Sequence, residues 1–289
     1  MQLRKSFKIL GRGKGKGRDK GVSMKKKIIV VKVGTAVLSK AKRLSRHKTG
    51  KLDPVFIKSL IAQICKLKRL GLNVILVSSG AIGAGMEAIG LSSRPGNLNK
   101  LQACAAIGQG KLMKLYEENF RFHGKHAAQI LLTREDFSSS KRIDMAKHTI
   151  MSLLNDFNAV PVINENDTIA TEEIKFSDND MLSALVARFV GAHALVILTD
   201  VDGLYDPSDK KVIPIVKSVN KTIEKMVEPS KSALGRGGML SKIQAARIAT
   251  LAGIKCVIAN GRVKDVLLRI DKSSKIGTVF LPALKKKRI

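Results

Sequence analysis

Tryptophan is missing from this chain of 289 residues, which holds only two tyrosines and nine phenylalanines. So few flat rings leave little for bases to stack on, which weighs against a dedicated single-strand nucleic-acid binder. Cysteine is scarce too. Cys65, Cys104 and Cys256 are odd in number, far apart and set among apolar neighbours. They offer neither a disulfide framework nor a zinc spacing, and read as buried thiols of a reducing compartment. No apolar run approaches the ~20 residues that span a bilayer. The charged N-terminus leads into no hydrophobic segment of the secretory kind. A cytoplasmic protein with no membrane partner is expected. A G-x-x-x-x-G-K-[ST] loop is absent as well. The near-match to a dinucleotide fingerprint, Gly83-x-Gly85-x-x-Ala88, falls inside a helical stretch and lacks an acid ~20 residues later.

Acid is the largest shortage. Against 53 Lys and Arg there are 23 Asp and Glu, a formal charge of +30. Residues 1–27 carry +10 and Lys285–Arg288 carry +4, which leaves +16 on the body. A positive field concentrates anionic ligands such as nucleotides, and basic tails hold RNA without sequence preference. Residues 1–24, rich in Gly, Lys and Arg, are expected to form a disordered extension. Residues 25–282 are expected to be the folded domain and 283–289 a basic tail.

What is present is a regular alternation of apolar patterns. Strands are predicted at Lys27–Val33, Asn73–Ser78, Gln129–Thr133, Ala159–Ile163, Ala194–Thr199 and Lys255–Ala259, with a short one at Gly277–Leu281. Helices are predicted from the Asp53-Pro54 cap to Gly71, over Ser139–Asp156, Asp180–Val190 and Ser241–Ala252. Asn99–His123 reads as one long helical region, bent or broken at Gly108 and Gly110. Strand alternating with helix predicts an α/β fold, a three-layer αβα sandwich with a mostly parallel central sheet.

The stretch Asn164–Asp180 concentrates polar residues where such a sheet places its ligands. Asn164-Glu-Asn-Asp167 ends one strand, and Asp178-Asn-Asp180 opens the next helix. A helix cap explains one acid there, not two clusters, so the stretch reads as a site for an ammonium group or a metal. Three glycine-rich turns accompany it: Gly34 after Lys32, Gly80–Gly85 after Ser79, and Gly235–Gly238 before Lys242. Turn amides and lysines together cradle phosphate. That is the equipment for phosphoryl transfer by positioning and charge cancellation. A carboxylate acceptor, ionised at pH 7 with a free pKa of ~4, needs no general base. None of the five histidines lies in these turns.

Lys32-Val-Gly-Thr35, Ser79-Gly-Ala-Ile82, VPVINEND ending at Asp167, Asp178-Asn-Asp180, Leu198-Thr-Asp200 with Gly203-Leu-Tyr205, and Gly237-Gly-Met239 with Lys242 occur in order. Together they resemble the glutamate 5-kinases of the amino acid kinase family, from about Lys26 to Phe280. The resemblance implies transfer of the ATP γ-phosphate to the side-chain carboxylate of L-glutamate, the first step of proline biosynthesis. By the same resemblance Lys32 and Lys242 offset charge on the phosphates, and Asp180 holds both lysines. Ser79, Gly80, Asn164, Asp167 and Asn179 bind glutamate, Asp167 at the ammonium and the others at the carboxylates. Gly34, Thr199, Asp200 and the run Arg236, Gly237, Gly238, Met239, Leu240, Ser241 and Lys242 line the nucleotide. Mg2+ rides on the ATP phosphates, and no metal cage is built from protein. Proline as a feedback inhibitor acting through Thr168–Ser177, a homo-oligomer (dimer or tetramer) and the next enzyme of the pathway as a partner are further implications. Two features depart from the pattern. The chain stops where many glutamate 5-kinases continue into a PUA domain, so a kinase-only form is expected. Arg236 stands where a small residue is common. The alternatives are a family member with another carboxylate or carbamate acceptor, and a basic RNA-associated protein keeping a kinase fold.

Overall fold

The computed structural model describes residues 26–40, 51–170, 179–227, 238–272 and 276–283. Its frame is one eight-stranded sheet. In chain order the strands are β1 (Ile28–Val33), β2 (Asn73–Ser78), β3 (Ala127–Leu132), β4 (Val160–Glu165), β5 (Ala194–Thr199), β6 (Ile215–Val216), β7 (Lys255–Asn260) and β8 (Thr278–Phe280). They lie side by side as β3-β4-β2-β1-β5-β7-β8-β6. The strands from β3 to β7 run parallel, and β8 with its partner β6 runs against them. The central strands β1, β2, β4 and β5 are buried along their whole length. That is why each carries consecutive apolar residues, such as Ile28–Val31 and Val74–Val77, instead of alternating: a parallel sheet covered on both faces has no solvent side to alternate toward.

Helices supply both covers. On one face Val31, Val33, Leu76 and Val196 pack under α1 (Thr35–Leu38), α2 (Pro54–Arg69), α4 (Leu98–Arg121) and α9 (Val266–Asp271). On the other, Val30, Val77 and Ile197 meet α5 (Ser140–Asn155), α6 (Asn179–Val190) and α8 (Met239–Leu251). The remaining helices are α3 (Ala81–Ala88) and α7 (Lys221–Lys225). The start of α2 is fixed as its sequence suggests: Asp53 accepts from the Phe56 amide at 3.2 Å, and Pro54 occupies the first turn. Among the described residues no helix is long and apolar enough to cross a membrane.

One expectation fails. The helix α4 runs through Gly108 and Gly110 without interruption, from Leu98 to Arg121. Gly108 is there for contact: a methyl built on it would lie 1.8 Å from the Ala81 carbonyl oxygen. Gly85 is its counterpart, since a methyl there would lie 1.8 Å from the Cys104 carbonyl oxygen. The two glycines let α3 and α4 cross backbone to backbone, so their cost in helix propensity is offset by close packing. The N-terminal extension and the basic C-terminal tail fall outside the described residues, apart from Ala283.

Candidate active site

Every strand of the parallel set delivers its C-terminal end to one edge of the sheet, and the predicted residues gather there. Lys32 is the fifth residue of β1, flanked by Val31 and Val33, which face the α2 side. Alternation therefore turns Lys32 toward the α6 and α8 side. Asp180, in the first turn of α6, receives it: Lys32 Nζ lies 2.6 Å from Asp180 Oδ1. Lys242, from the start of α8, takes the other oxygen, with Nζ 3.0 Å from Asp180 Oδ2. The Ser241 hydroxyl donates to the same Oδ2 at 2.9 Å. Side-chain exposures of 3% for Lys32, 8% for Lys242 and 0% for Asp180 put this cation–anion–cation cluster out of water. Two cations thus share one carboxylate in a low-dielectric setting, where attraction between charges is strong.

Of the turns expected on the phosphate side, Gly34 and Gly238 lie among the described residues. Gly34 donates its amide to the Leu198 carbonyl at 3.3 Å, and a methyl on it would sit 3.4 Å from Lys32 Nζ. A methyl there would touch the ammonium at ordinary contact distance. Gly238 caps α8 with no side chain of its own, and Met239 and Leu240 follow half-buried. The first amides of a 13-residue helix are therefore not claimed by an N-cap side chain. Thr199, buried at the end of β5, donates its hydroxyl to Asp200 Oδ1 at 3.2 Å, and Asp200 is exposed. Arg236 and Gly237 lie outside the described residues, as does Asp178.

The acceptor side is built on Asn179, the residue before Asp180. Asn179 Nδ2 donates to the Ser78 carbonyl (2.9 Å), the Ser79 hydroxyl (3.0 Å) and Asn164 Oδ1 (2.9 Å). Gly80, at φ 101°, turns the chain from β2 into α3 in a left-handed conformation that suits glycine. Asp167 is half-buried just beyond β4. Asn179, expected to meet a glutamate carboxylate, already spends its NH2 group on protein acceptors, and its Oδ1 is buried with no hydrogen-bond partner among the described residues.

Sequence reasoning overlooked three side chains behind this cluster. The Ser78 and Tyr116 hydroxyls lie 2.8 Å apart, and burial pushes the Tyr116 hydroxyl far above its usual range, so it stays protonated. Gln109 accepts from Asn164 Nδ2 at 2.9 Å and donates to Gln129 Oε1 at 3.0 Å. Only the flanking glycines of Gln109 marked that turn of α4 as unusual. Cys256, on β7 beneath the lysine cluster, is fully buried; desolvation, with a smaller push from Asp180, raises its thiol. All three cysteines are buried and free.

The Amino acid kinase family model matches residues 27–260. Among curated relatives, the glutamate 5-kinase of Caldanaerobacter subterraneus subsp. tengcongensis is 49% identical over 259 residues, covering 88% of this chain and 68% of that protein. The glutamate 5-kinase of Clostridium acetobutylicum is 44% identical over 259 residues, covering 88% of this chain and 94% of its own. Among solved structures, the carbamate kinase from Giardia lamblia bound to AMP-PNP superposes with a TM-score of 0.59 at 19% identity, over 90% of this chain and 99% of that one. The UMP kinase from Bacillus anthracis gives 0.57 at 14% identity, over 89% and 97%. At such identities the two structures speak to the fold. The family match and the curated relatives go further: the chain belongs to the amino acid kinase family, among its glutamate 5-kinases.

Proposed function

We propose that this protein transfers the γ-phosphate of ATP to the side-chain carboxylate of L-glutamate, giving L-glutamyl 5-phosphate and ADP, the first step of proline biosynthesis. The observation that carries the reading is the buried Lys32–Asp180–Lys242 cluster directly beside Asn179 and Ser79. A site for joining two anions needs fixed cations at their meeting point, and here the cations are held before either anion arrives.

In the proposed reaction a carboxylate oxygen of glutamate attacks the γ-phosphorus. The bond from that phosphorus to the β,γ-bridging oxygen breaks, and its electron pair leaves on ADP. No proton moves, so no base is required. Lys32 and Lys242 draw negative charge from the equatorial and bridging oxygens, while Asp180 keeps the two ammonium groups from parting. Gly34, Gly238 and the first amides of α8 approach the phosphates, and Thr199, Asp200 and Met239–Ser241 border the nucleoside. Asp167 and the Asn179 carbonyl suit the α-ammonium; Ser79, Gly80 and the spare Asn164 N–H suit carboxylates. Mg2+ carried on the triphosphate would lower its charge. Among the described residues no group of three His, Cys, Asp or Glu side chains is placed to cage a metal. Residues 25–282 form the kinase unit in this reading, working in the cytoplasm as a homo-oligomer under inhibition by proline.

A coupled ADP-release assay across L-glutamate, L-aspartate, N-acetylglutamate and carbamate tests the assignment. Glutamate should give the highest kcat/KM. Preference for another acceptor overturns it.

A further inference from the structure

Four side-chain amides run in single file away from the acceptor site. Asn179 Nδ2 donates to Asn164 Oδ1, Asn164 Nδ2 to Gln109 Oε1, and Gln109 Nε2 to Gln129 Oε1, at 2.9, 2.9 and 3.0 Å. An amide can be turned end for end, so the direction of such a file needs an anchor. Two backbone groups provide it. The Ser78 carbonyl, 2.9 Å from Asn179, can only accept, so the nitrogen of Asn179 must face it. The Glu165 amide, 2.9 Å from Asn164, can only donate, so the oxygen of Asn164 must face that. With Asn164 fixed, its NH2 points to Gln109, which must offer an oxygen.

We infer that Gln109 is a positioning residue for acceptor recognition: with the polarity of Asn164 and Asn179 set by backbone groups, Gln109 tethers the NH2 end of Asn164 and so holds its side chain in place against Asn179. This rests on the reading above that the acceptor is glutamate. The file ends in exposed Gln129, whose amide is free to turn, so Gln109 is the last member whose identity constrains the site. Its place is set by the fold. Gly108, next to it, presses α4 onto α3 and brings that turn of helix within reach of β4. Without an acceptor at position 109, Asn164 keeps its bond from the Glu165 amide but loses the tether on its NH2 end, so its side chain is held at one end only. The contact between Asn164 and Asn179 is then less firmly placed.

The test compares Gln109→Met, similar in shape but unable to accept strongly, with Gln109→Glu, which keeps an accepting oxygen for Asn164 while Gln129 turns to donate to the other. Gln109→Met should raise the KM for glutamate about tenfold, the loss of roughly one net hydrogen bond. Its kcat, KM for ATP and melting temperature should stay close to those of the unaltered protein. Gln109→Glu should restore the glutamate KM. Side-chain amide NMR gives a readout independent of turnover: the Asn164 and Asn179 NH2 resonances should move in Gln109→Met and return in Gln109→Glu. An unchanged glutamate KM in Gln109→Met, or a Glu variant as impaired as the Met variant, overturns the proposal. Unmoved Asn164 and Asn179 resonances overturn it as well. Failure of the unaltered protein to phosphorylate glutamate would instead overturn the functional reading, and the amide resonances would then decide the positioning role by themselves.

Discussion

Gly108 of α4 meets Ala81 of α3 so closely that a methyl on the glycine would lie 1.8 Å from the alanine's carbonyl oxygen. Gly110, two residues on, has nothing within 4 Å of its would-be methyl. The same substitution should therefore act oppositely at the two positions. Gly108→Ala has to push two helices apart and should cost about 2 kcal/mol or more. Gly110→Ala removes only backbone freedom and should add about 0.5–1 kcal/mol. Urea unfolding of both variants measures this, and equal shifts would contradict the described crossing.

Lys32 and Lys242 share one carboxylate, and each is expected to serve the transferring phosphoryl group. Lys32→Ala and Lys242→Ala should each lower kcat by about a hundredfold or more, as removal of a fixed charge-stabilising donor does. Steady-state kinetics with glutamate and ATP check it. A loss confined to the KM for glutamate would move the lysines out of the phosphate role.

Asp180→Asn would remove the carboxylate that both buried ammonium groups share. Breaking a buried ion cluster in this way costs about 3–5 kcal/mol. In the double variant Lys32→Met/Asp180→Asn the same contact is removed from both ends, so its unfolding free energy should fall by less than the sum of the single losses. Strict additivity in denaturant titrations would mean that the residues do not act as a unit.

Lys68 gives a pH signature. Burial, with repulsion from Lys125 and Lys26, brings its ammonium down to about 8 from 10.5, while its Nζ donates to the Ala159 carbonyl at 3.1 Å. A lysine with a lowered pKa binds its proton less well folded than unfolded. Between those two values the unfolded chain holds the extra proton, so this group makes stability rise with pH through that window. Subtracting the stability–pH curve of Lys68→Gln from that of the unaltered protein should expose the rise. A flat difference between pH 8 and about 10 would refute it.

The layered fold was readable because each central strand carries consecutive apolar residues, and only burial on both faces makes such runs. Short pieces were not: β6 has two residues and α1 has four, too few for any period to show. The reversed direction of β8 was also invisible, since pairing sense leaves no mark in three residues. Among the site residues, Lys32 stood out as a charge at the end of an apolar strand, and Asp180 as an acid opening an apolar helix. Gln109 did not stand out. It lies 55 residues from Asn164, on another element, and nothing in an ordinary helical glutamine announces a partner that far away. Gly108 and Gly110 suggest a bend because propensity describes a helix by itself, whereas Gly108 answers to a neighbour.

Asn179 and Asp180 are consecutive residues, one attached to the Ser79 and Asn164 cluster and the other to the two lysines. A single peptide unit therefore separates the proposed seat of the amino acid from the carboxylate that holds the two lysines. Tilting the tip of α6 cannot re-aim one without re-aiming the other. On the proposed assignment, communication between the two substrates requires no moving domain, only the stiffness of that shared half-turn.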